Sequence, residues 1–217
     1  MARVTTSAAA TPSSERILDA ATSAFAELGF RGTTTRDIAA RAGMSPTAMY
    51  VHHRSKEELL YAISLVGHQR LLAALHEASA QGVTPTERLE NVALTFGAWH
   101  AARSVQARVV NYELRALTPE HYAEVAELRH GIDTVFRSIV AAGVATGEFD
   151  VKDVAMTCVA LASLGVDISR WYRSGGGWST DDVAAHYRDN VMRMVAARAT
   201  ASTGGADADE AEPTRRE

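Results

Sequence analysis

Residues 34–56 read TTRDIAARAGMSPTAMYVHHRSK and hold two helix starts on either side of a glycine. Thr34 is placed to cap a first helix, and Asp37, three residues on, can reach back as the short partner of a capping box. Ile38, Ala39 and Ala42 give that helix a small apolar face, and Gly43 can take positive φ beyond its end. Ser45-Pro46 opens the second helix with a hydroxyl cap followed by proline at the first helical position. Two helices joined by a tight glycine-containing turn form a helix-turn-helix. Any all-α protein could contain such a pair, with Ile38, Ala39, Ala42 and Met49 as ordinary core. The remaining face of the second helix separates the two readings. Thr47, Ala48, Tyr50 and His52 offer hydroxyls, an imidazole and a methyl group, which suit phosphates, base edges and thymine methyls in a major groove.

The rest of the chain punctuates itself in the same way. Ser13 or Ser14 starts a helix that ends near Gly29, and Ser55-Lys56-Glu57-Glu58 reads as a full capping box. The helix after it carries Leu59, Leu60, Ile63, Val66, Leu71, Leu72 and Leu75 and fades near Gln81-Gly82. Thr84-Pro85-Thr86-Glu87 and Thr118-Pro119-Glu120 open two more helices, with another spanning 104–116 between them. Asp150 is expected to start a helix running to Tyr172, and Ser179-Thr180-Asp181-Asp182 to cap a last one reaching Ala199. Strand signals are hard to find, so the expected class is all-α, about nine helices.

Charge divides along the chain. Residues 1–56 carry Arg3, Arg16, Arg31, Arg36, Arg41, Arg54 and Lys56 against Glu15, Asp19, Glu27 and Asp37, a balance of +3, although the whole chain is −4. A basic head can meet phosphates while an acidic body avoids unspecific adhesion. No run of about 18 apolar residues stands out, so no membrane span is expected, and Met1–Ser7 has no apolar core of a signal peptide. The one cysteine, Cys158, sits in an apolar helical pattern and is expected to be a small core residue in a reducing cytoplasm.

Enzyme readings find little support. The eight histidines show no metal-binding spacing, Gly175-Gly176-Gly177 has no strand before it, and no nucleophile triad can be argued from spacing. Neither a cofactor nor a metal is expected.

Across residues 14–60 the chain resembles the tetracycline-repressor (TetR) family. Ile17-Leu18-Asp19-Ala20-Ala21, Phe25, Gly29-Phe30 and Thr34-Thr35 precede the motif, and Tyr50-Val51-His52 and Ser55-Lys56-Glu57-Glu58-Leu59-Leu60 follow it without a gap. Departures are His53 where an apolar residue is usual, Arg54 where proline is common, and Thr47 for a frequent glycine. The resemblance implies a three-helix DNA-binding head at 13–58, with its motif at 34–53, and a ligand-binding, dimerising body at 59–199. The ends, 1–12 and 200–217, lack large apolar residues at helical spacing and are expected to be disordered. It also implies a homodimer on a palindromic double-stranded operator. DNA contacts would come from Thr34, Thr35, Arg36, Ser45, Thr47, Ala48, Tyr50, His52, His53 and Lys56. Thr47, Ala48 and Tyr50 would face the groove and Arg36 a base edge or groove wall. Thr35, Tyr50, His52 and Lys56 would hold phosphates, and His53 could face one.

The last two helices are the expected dimer pair, through Leu164, Ile168, Val191 and Val195. Aromatic and basic residues among apolar helices suggest an effector cavity, with Trp99, Tyr112 and Trp171 as walls and Arg129 and Arg170 as anchors. Residues 111–120 and 170–176 resemble segments of family members that govern fatty-acid and steroid breakdown, often released by acyl-CoA thioesters. The expectation is therefore a repressor released by a small apolar effector, an acyl-CoA in the sharpest version. The alternatives are a regulator answering a neutral drug-like compound, and a helical ligand-binding or interaction protein that binds no operator.

Overall fold

The structure, a computed structural model, describes residues 12–196. The ends expected to be disordered lie outside the described residues, apart from Pro12 in the first turn of the first helix. So does the expected continuation of the last helix to Ala199. Among the described residues there are nine α-helices: α1 Pro12–Gly32, α2 Thr35–Arg41, α3 Pro46–His52, α4 Lys56–Ala80, α5 Pro85–Ala102, α6 Ser104–Tyr112, α7 Pro119–Thr146, α8 Val154–Trp171 and α9 Thr180–Val195. The all-α expectation holds.

Most helix starts are made by contacts within three residues. Thr34, Thr84 and Ser179 each complete a reciprocal capping box, with Asp37, Glu87 and Asp182. The box expected at Ser55 is one-sided. Ser55 Oγ accepts from the Glu58 N–H at 3.1 Å, but the Glu58 carboxylate reaches past the cap to the Arg54 N–H at 2.6 Å. The helix expected over 104–116 breaks after Tyr112 and resumes as a short 3-10 turn, Leu114–Ala116. The start expected at Asp150 falls instead at Asp153, which caps α8. Residues 149–150 are held elsewhere: Phe149 bridges Ala196, and the Asp150 N–H donates to the Val195 carbonyl at 3.0 Å.

Two apolar cores follow from the amphipathic faces. One joins α1, α2 and α3 to the first turns of α4 and to Val109, Val110, Leu114, Leu117 and Val125 from α6, the 3-10 turn and α7. The other lies among α4, α5, α7, α8 and α9, around Phe96, Phe136, Leu161 and Tyr187. The head is thus packed into the body, and α4 runs through both cores.

α8 carries two apolar stripes. Cys158, Leu161, Gly165, Ile168 and Tyr172 face inward at i, i+3, i+7, i+10 and i+14, and are buried. Met156, Leu164 and Trp171 lie on the other side and are exposed. By length and composition alone α8 is apolar enough to cross a membrane, a property it shares with helices that bury one face in a core, and 28% of it is buried in the chain. Burial pushes the Cys158 thiol up to about 11, so it sits as an inert core group.

Candidate DNA-binding face and effector cavity

The helix pair assembles as the caps dictate. Thr34 Oγ1 accepts from the Asp37 N–H at 3.2 Å and donates to the Asp37 carboxylate at 2.7 Å; that donation, with a second from the Thr34 N–H at 2.8 Å, holds the carboxyl below its ordinary range. Ser45 Oγ accepts from the Ala48 N–H at 3.2 Å. Both hydroxyls are therefore occupied as caps. Ile38, Ala39, Ala42 and Met49 are buried and hold α3 against α2 and α1. Thr47, Ala48 and Tyr50 are exposed together on the outer side of α3. Tyr50 Oη lies 3.1 Å from Thr35 Oγ1, so the first turn of α2 and the middle of α3 present a joined pair of hydroxyls. Arg36 is exposed beside them. His53 closes α3 as its half-buried C-cap, and the side chain of His52 lies outside the described residues. Val51, which the sequence reading passed over, is 81% exposed on the same helix, four residues from Thr47 and so on the same face. An isopropyl group there suits a thymine methyl. The helical spacing was the signal that could have found it.

Lys56 corrects an expectation. Its Nζ donates to the carbonyls of Phe30 at 2.8 Å and Thr33 at 2.9 Å, with that of Arg31 at 3.5 Å, and sits 4.5 Å from the Phe30 ring centroid. All three ammonium protons thus face backbone oxygens at the end of α1. Gly29, with φ of +70°, breaks α1 there and leaves these carbonyls without helical partners. On the other side of the same residue, the Phe30 N–H donates to the Glu113 carboxylate at 3.2 Å. The end of α1 is therefore clasped from α4 by Lys56 and from the end of α6 by Glu113.

A cavity of about 440 Å³ opens in the body among α4, α5, α6, α7 and α8. Leu71, Phe96, Val110, Ile132 and Val166 supply apolar wall. The polar groups are His68, His100, Asn111, Arg129, His130, Asp133 and Ser163. Arg129 Nη1 donates to Asn111 Oδ1 at 2.9 Å and lies 3.5 Å from His68 Nε2. No carboxylate among the described residues forms an ion pair with it. His68 and His100 are buried, and that burial pushes both imidazoles down to about 4, so both are neutral at pH 7.

Of the five expected effector contacts, the structure brings only Arg129 to this cavity. Trp99 packs on the second core and stacks under Arg103, 4.0 Å from its guanidinium. Tyr112 is 55% exposed at the end of α6. Arg170 pairs with Asp167 at 2.8 Å, one turn away on the outside of α8. Trp171 lines a different depression of about 740 Å³ between α8 and α9, with Leu164, Trp178, His186 and Asn190. His68 was missed, because a lone histidine in an apolar helix gives no signal of what its ring faces.

The expected dimer face needs the same revision. Val191 and Val195 are buried in the chain's own core, with Tyr187 and Phe96, and cannot meet a second copy, while Ile168 packs into that core at the floor of the depression between α8 and α9. Leu164 is 49% exposed and remains available.

The chain matches two family models: "Bacterial regulatory proteins, tetR family" over residues 17–63, and "Tetracyclin repressor-like, C-terminal domain" over residues 82–195. It is 31% identical over 183 residues to the HTH-type transcriptional repressor KstR2 of Rhodococcus jostii, covering 83% of this chain and 89% of that one. Among solved structures, a bacterial regulatory protein of the tetR family from Rhodococcus RHA1 is 41% identical. The match covers 87% of this chain and 99% of that one, with a TM-score of 0.81. AibR, solved in complex with isovaleryl coenzyme A and operator DNA, shares the fold at 20% identity and a TM-score of 0.74, over 82% of this chain and 96% of that one. With its helix-turn-helix head on a helical body, the chain belongs to the TetR family of DNA-binding transcriptional regulators.

Proposed function

We propose that the chain is a homodimeric, cytoplasmic repressor that reads its operator with α3 and is released by an apolar effector bearing an anionic end, an acyl-CoA thioester in the sharpest form. The observation that carries the effector reading is Arg129. It is a cation on the wall of a mostly apolar cavity, with no carboxylate partner among the described residues. A guanidinium so placed fits a carboxylate or phosphate through its remaining N–H groups. About 440 Å³ accommodates an acyl group, with the nucleotide part of a thioester left at the mouth beside Arg129. AibR, of the same fold, was solved with such a thioester.

Release has a physical route. α6 lines the cavity through Ala107, Val110 and Asn111, and just past its end Glu113 holds the α1 peptide. α4 lines it through Gly67, His68 and Leu71, and carries Lys56 at its head end. An effector that favours one arrangement of α4 and α6 over the other therefore biases the position of the head. The dimer reading rests on the outer stripe of α8, where Met156, Leu164 and Trp171 lie open together with Trp178 from the loop before α9. Within the groove, α9 contributes His186 and Asn190 to such a face rather than Val191 and Val195.

The test is titration of the protein–operator complex with acyl-CoAs of different chain and ring size, beside Arg129→Ala. Release by a subset of thioesters, weakened in the variant, is expected. Release only by uncharged hydrophobic compounds, with Arg129→Ala unaffected, would overturn the anionic-effector reading.

A further inference from the structure

Both histidines of the cavity are locked in one tautomer by their own helices. His100 Nδ1 lies 2.9 Å from the Phe96 carbonyl, one turn earlier in α5, and His68 Nδ1 lies 2.7 Å from the Ser64 carbonyl in α4. A carbonyl oxygen can only accept, so each Nδ1 carries the ring proton. The depressed pKa values keep the rings neutral. Each Nε2 is then a bare lone pair, an acceptor and nothing else.

The two acceptors differ in what they meet. His68 Nε2 has Arg129 Nη1 at 3.5 Å, so a donor already stands beside it. His100 is 4% exposed and lines the cavity, and its one hydrogen bond among the described residues is made by Nδ1. The Phe96 ring centroid is 4.3 Å from its own, and Ile132 and Val166 line the same space, with His68 and Arg129 across it. Nε2 is not sealed off, so a donor for it comes from whatever fills the cavity, a ligand or water.

We infer that the cavity selects an effector whose apolar skeleton carries a hydroxyl, received by Nε2 of His100, with the effector's carbonyl or carboxylate end turned toward Arg129. This rests on the reading of the cavity as the effector site. An alcohol donates to Nε2 and satisfies it. A saturated skeleton leaves the lone pair bare. A ketone or ether at that point sets two lone pairs against each other. A protonated amine would add a second buried cation to a cavity that already holds Arg129. The site is therefore divided by hydrogen-bond role: an acceptor at His100, and donors at Arg129, whose Nη1 is committed to Asn111 but whose other N–H groups are not.

The experiment uses the full chain and three probes of one length: 10-hydroxydecanoate, decanoate and 9-oxodecanoate, each with a carboxylate for Arg129. Affinities are measured calorimetrically for the native protein and for the His100→Phe and His100→Leu variants, whose melting is checked first. The native protein should bind the hydroxy acid about tenfold more tightly than decanoate and the keto acid least tightly. That order runs against the apolarity of the probes, so packing alone cannot produce it. Either folded variant should put decanoate first. If the native protein binds decanoate as well as or better than the hydroxy acid, the hydroxyl assignment is overturned while the effector cavity stands. The assignment is also overturned if the hydroxy acid stays ahead in a folded variant. If none of the three probes binds the native protein, the cavity reading falls and the assignment with it. If neither variant folds, the order in the native protein decides alone.

Discussion

Lys56→Ala separates two roles that a lysine at the start of α4 can play. If its ammonium held a DNA phosphate, the substitution would remove one contact per head and flatten the dependence of log K on log salt by about 0.9 for each. The structure gives Nζ another occupation, on the Phe30 and Thr33 carbonyls at 2.8 and 2.9 Å and over the Phe30 ring. Charge-assisted bonds of this kind contribute about 1.5–3 kcal/mol when well shielded. Lys56 is only half-buried and water can reach the freed carbonyls, so about 1–2 kcal/mol is the fitting range for the pair. For a chain of this size that lowers Tm by about 2–8 °C. Calorimetry on the native protein and Lys56→Ala, with fluorescence anisotropy on operator at several salt concentrations, reads both quantities. Expected is a lower Tm with an unchanged salt slope, and a loss of affinity shared by all DNA sequences because the head is less well positioned. Arg36→Ala, which removes an exposed cation beside α3, should do the reverse and flatten the slope at constant Tm. An unchanged Tm with a flattened slope for Lys56→Ala would refute the clasp.

The remaining expectations are of different kinds. His68 and His100 are held to about 4 when folded, against about 6.5 unfolded, so between those values the unfolded chain takes up protons that the folded one refuses. Stability should be flat above pH 7 and fall as pH drops from 6.5 to 4, by up to ~1.4 kcal/mol per pH unit per histidine. Urea unfolding at several pH values checks this, and a flat profile contradicts it. Glu113→Ala removes the acceptor of the Phe30 N–H, so effector release of operator should weaken several-fold while effector binding to the free protein is retained; unchanged release would exclude this contact from the coupling. Leu164→Glu should yield a folded monomer in light scattering, whereas Val191→Glu, in the core, should lose the fold; the opposite pattern would misplace the interface. At Gly165 an added Cβ would lie 2.4 Å from a Phe96 ring carbon and 2.9 Å from Tyr187 Cζ, so Gly165→Ala should destabilise by about 1–3 kcal/mol in denaturant unfolding, and a neutral result would mean that the rings can yield.

What was legible in the sequence was what contacts within a few residues decide. Thr34 with Asp37, Ser45 with Pro46, Thr84 with Glu87 and Ser179 with Asp182 each fix a helix start through bonds three residues long, and each was read correctly. The division of α3 into buried Met49 and exposed Thr47, Ala48 and Tyr50 followed from helical spacing. What failed depended on distant partners. α8 has apolar residues on two sides, and the sequence does not say which side the chain covers itself, so Ile168 was assigned outward although it packs inward. Val191 and Val195 form the inward stripe of α9, against α5, and suffered the same inversion. Lys56 finds its carbonyl partners 23 to 26 residues away, at a helix end that Gly29 opens. Asp153 rather than Asp150 caps α8 because the Asp150 N–H is bound to the end of α9. The cavity was legible only as a loose collection of polar residues, since its walls come from five helices.

Selection of bound duplexes from a random pool tests the central claim most directly, using the full chain with and without the effector found by titration. The account predicts that a single two-fold symmetric sequence is enriched, with half-site centres about 10 base pairs or a multiple of the helical turn apart. It also predicts that substitution at Tyr50 or Val51 changes the enriched bases, and that the effector abolishes the enrichment. Enrichment no greater than for bulk DNA, or an enriched sequence indifferent to both α3 and the effector, would contradict it.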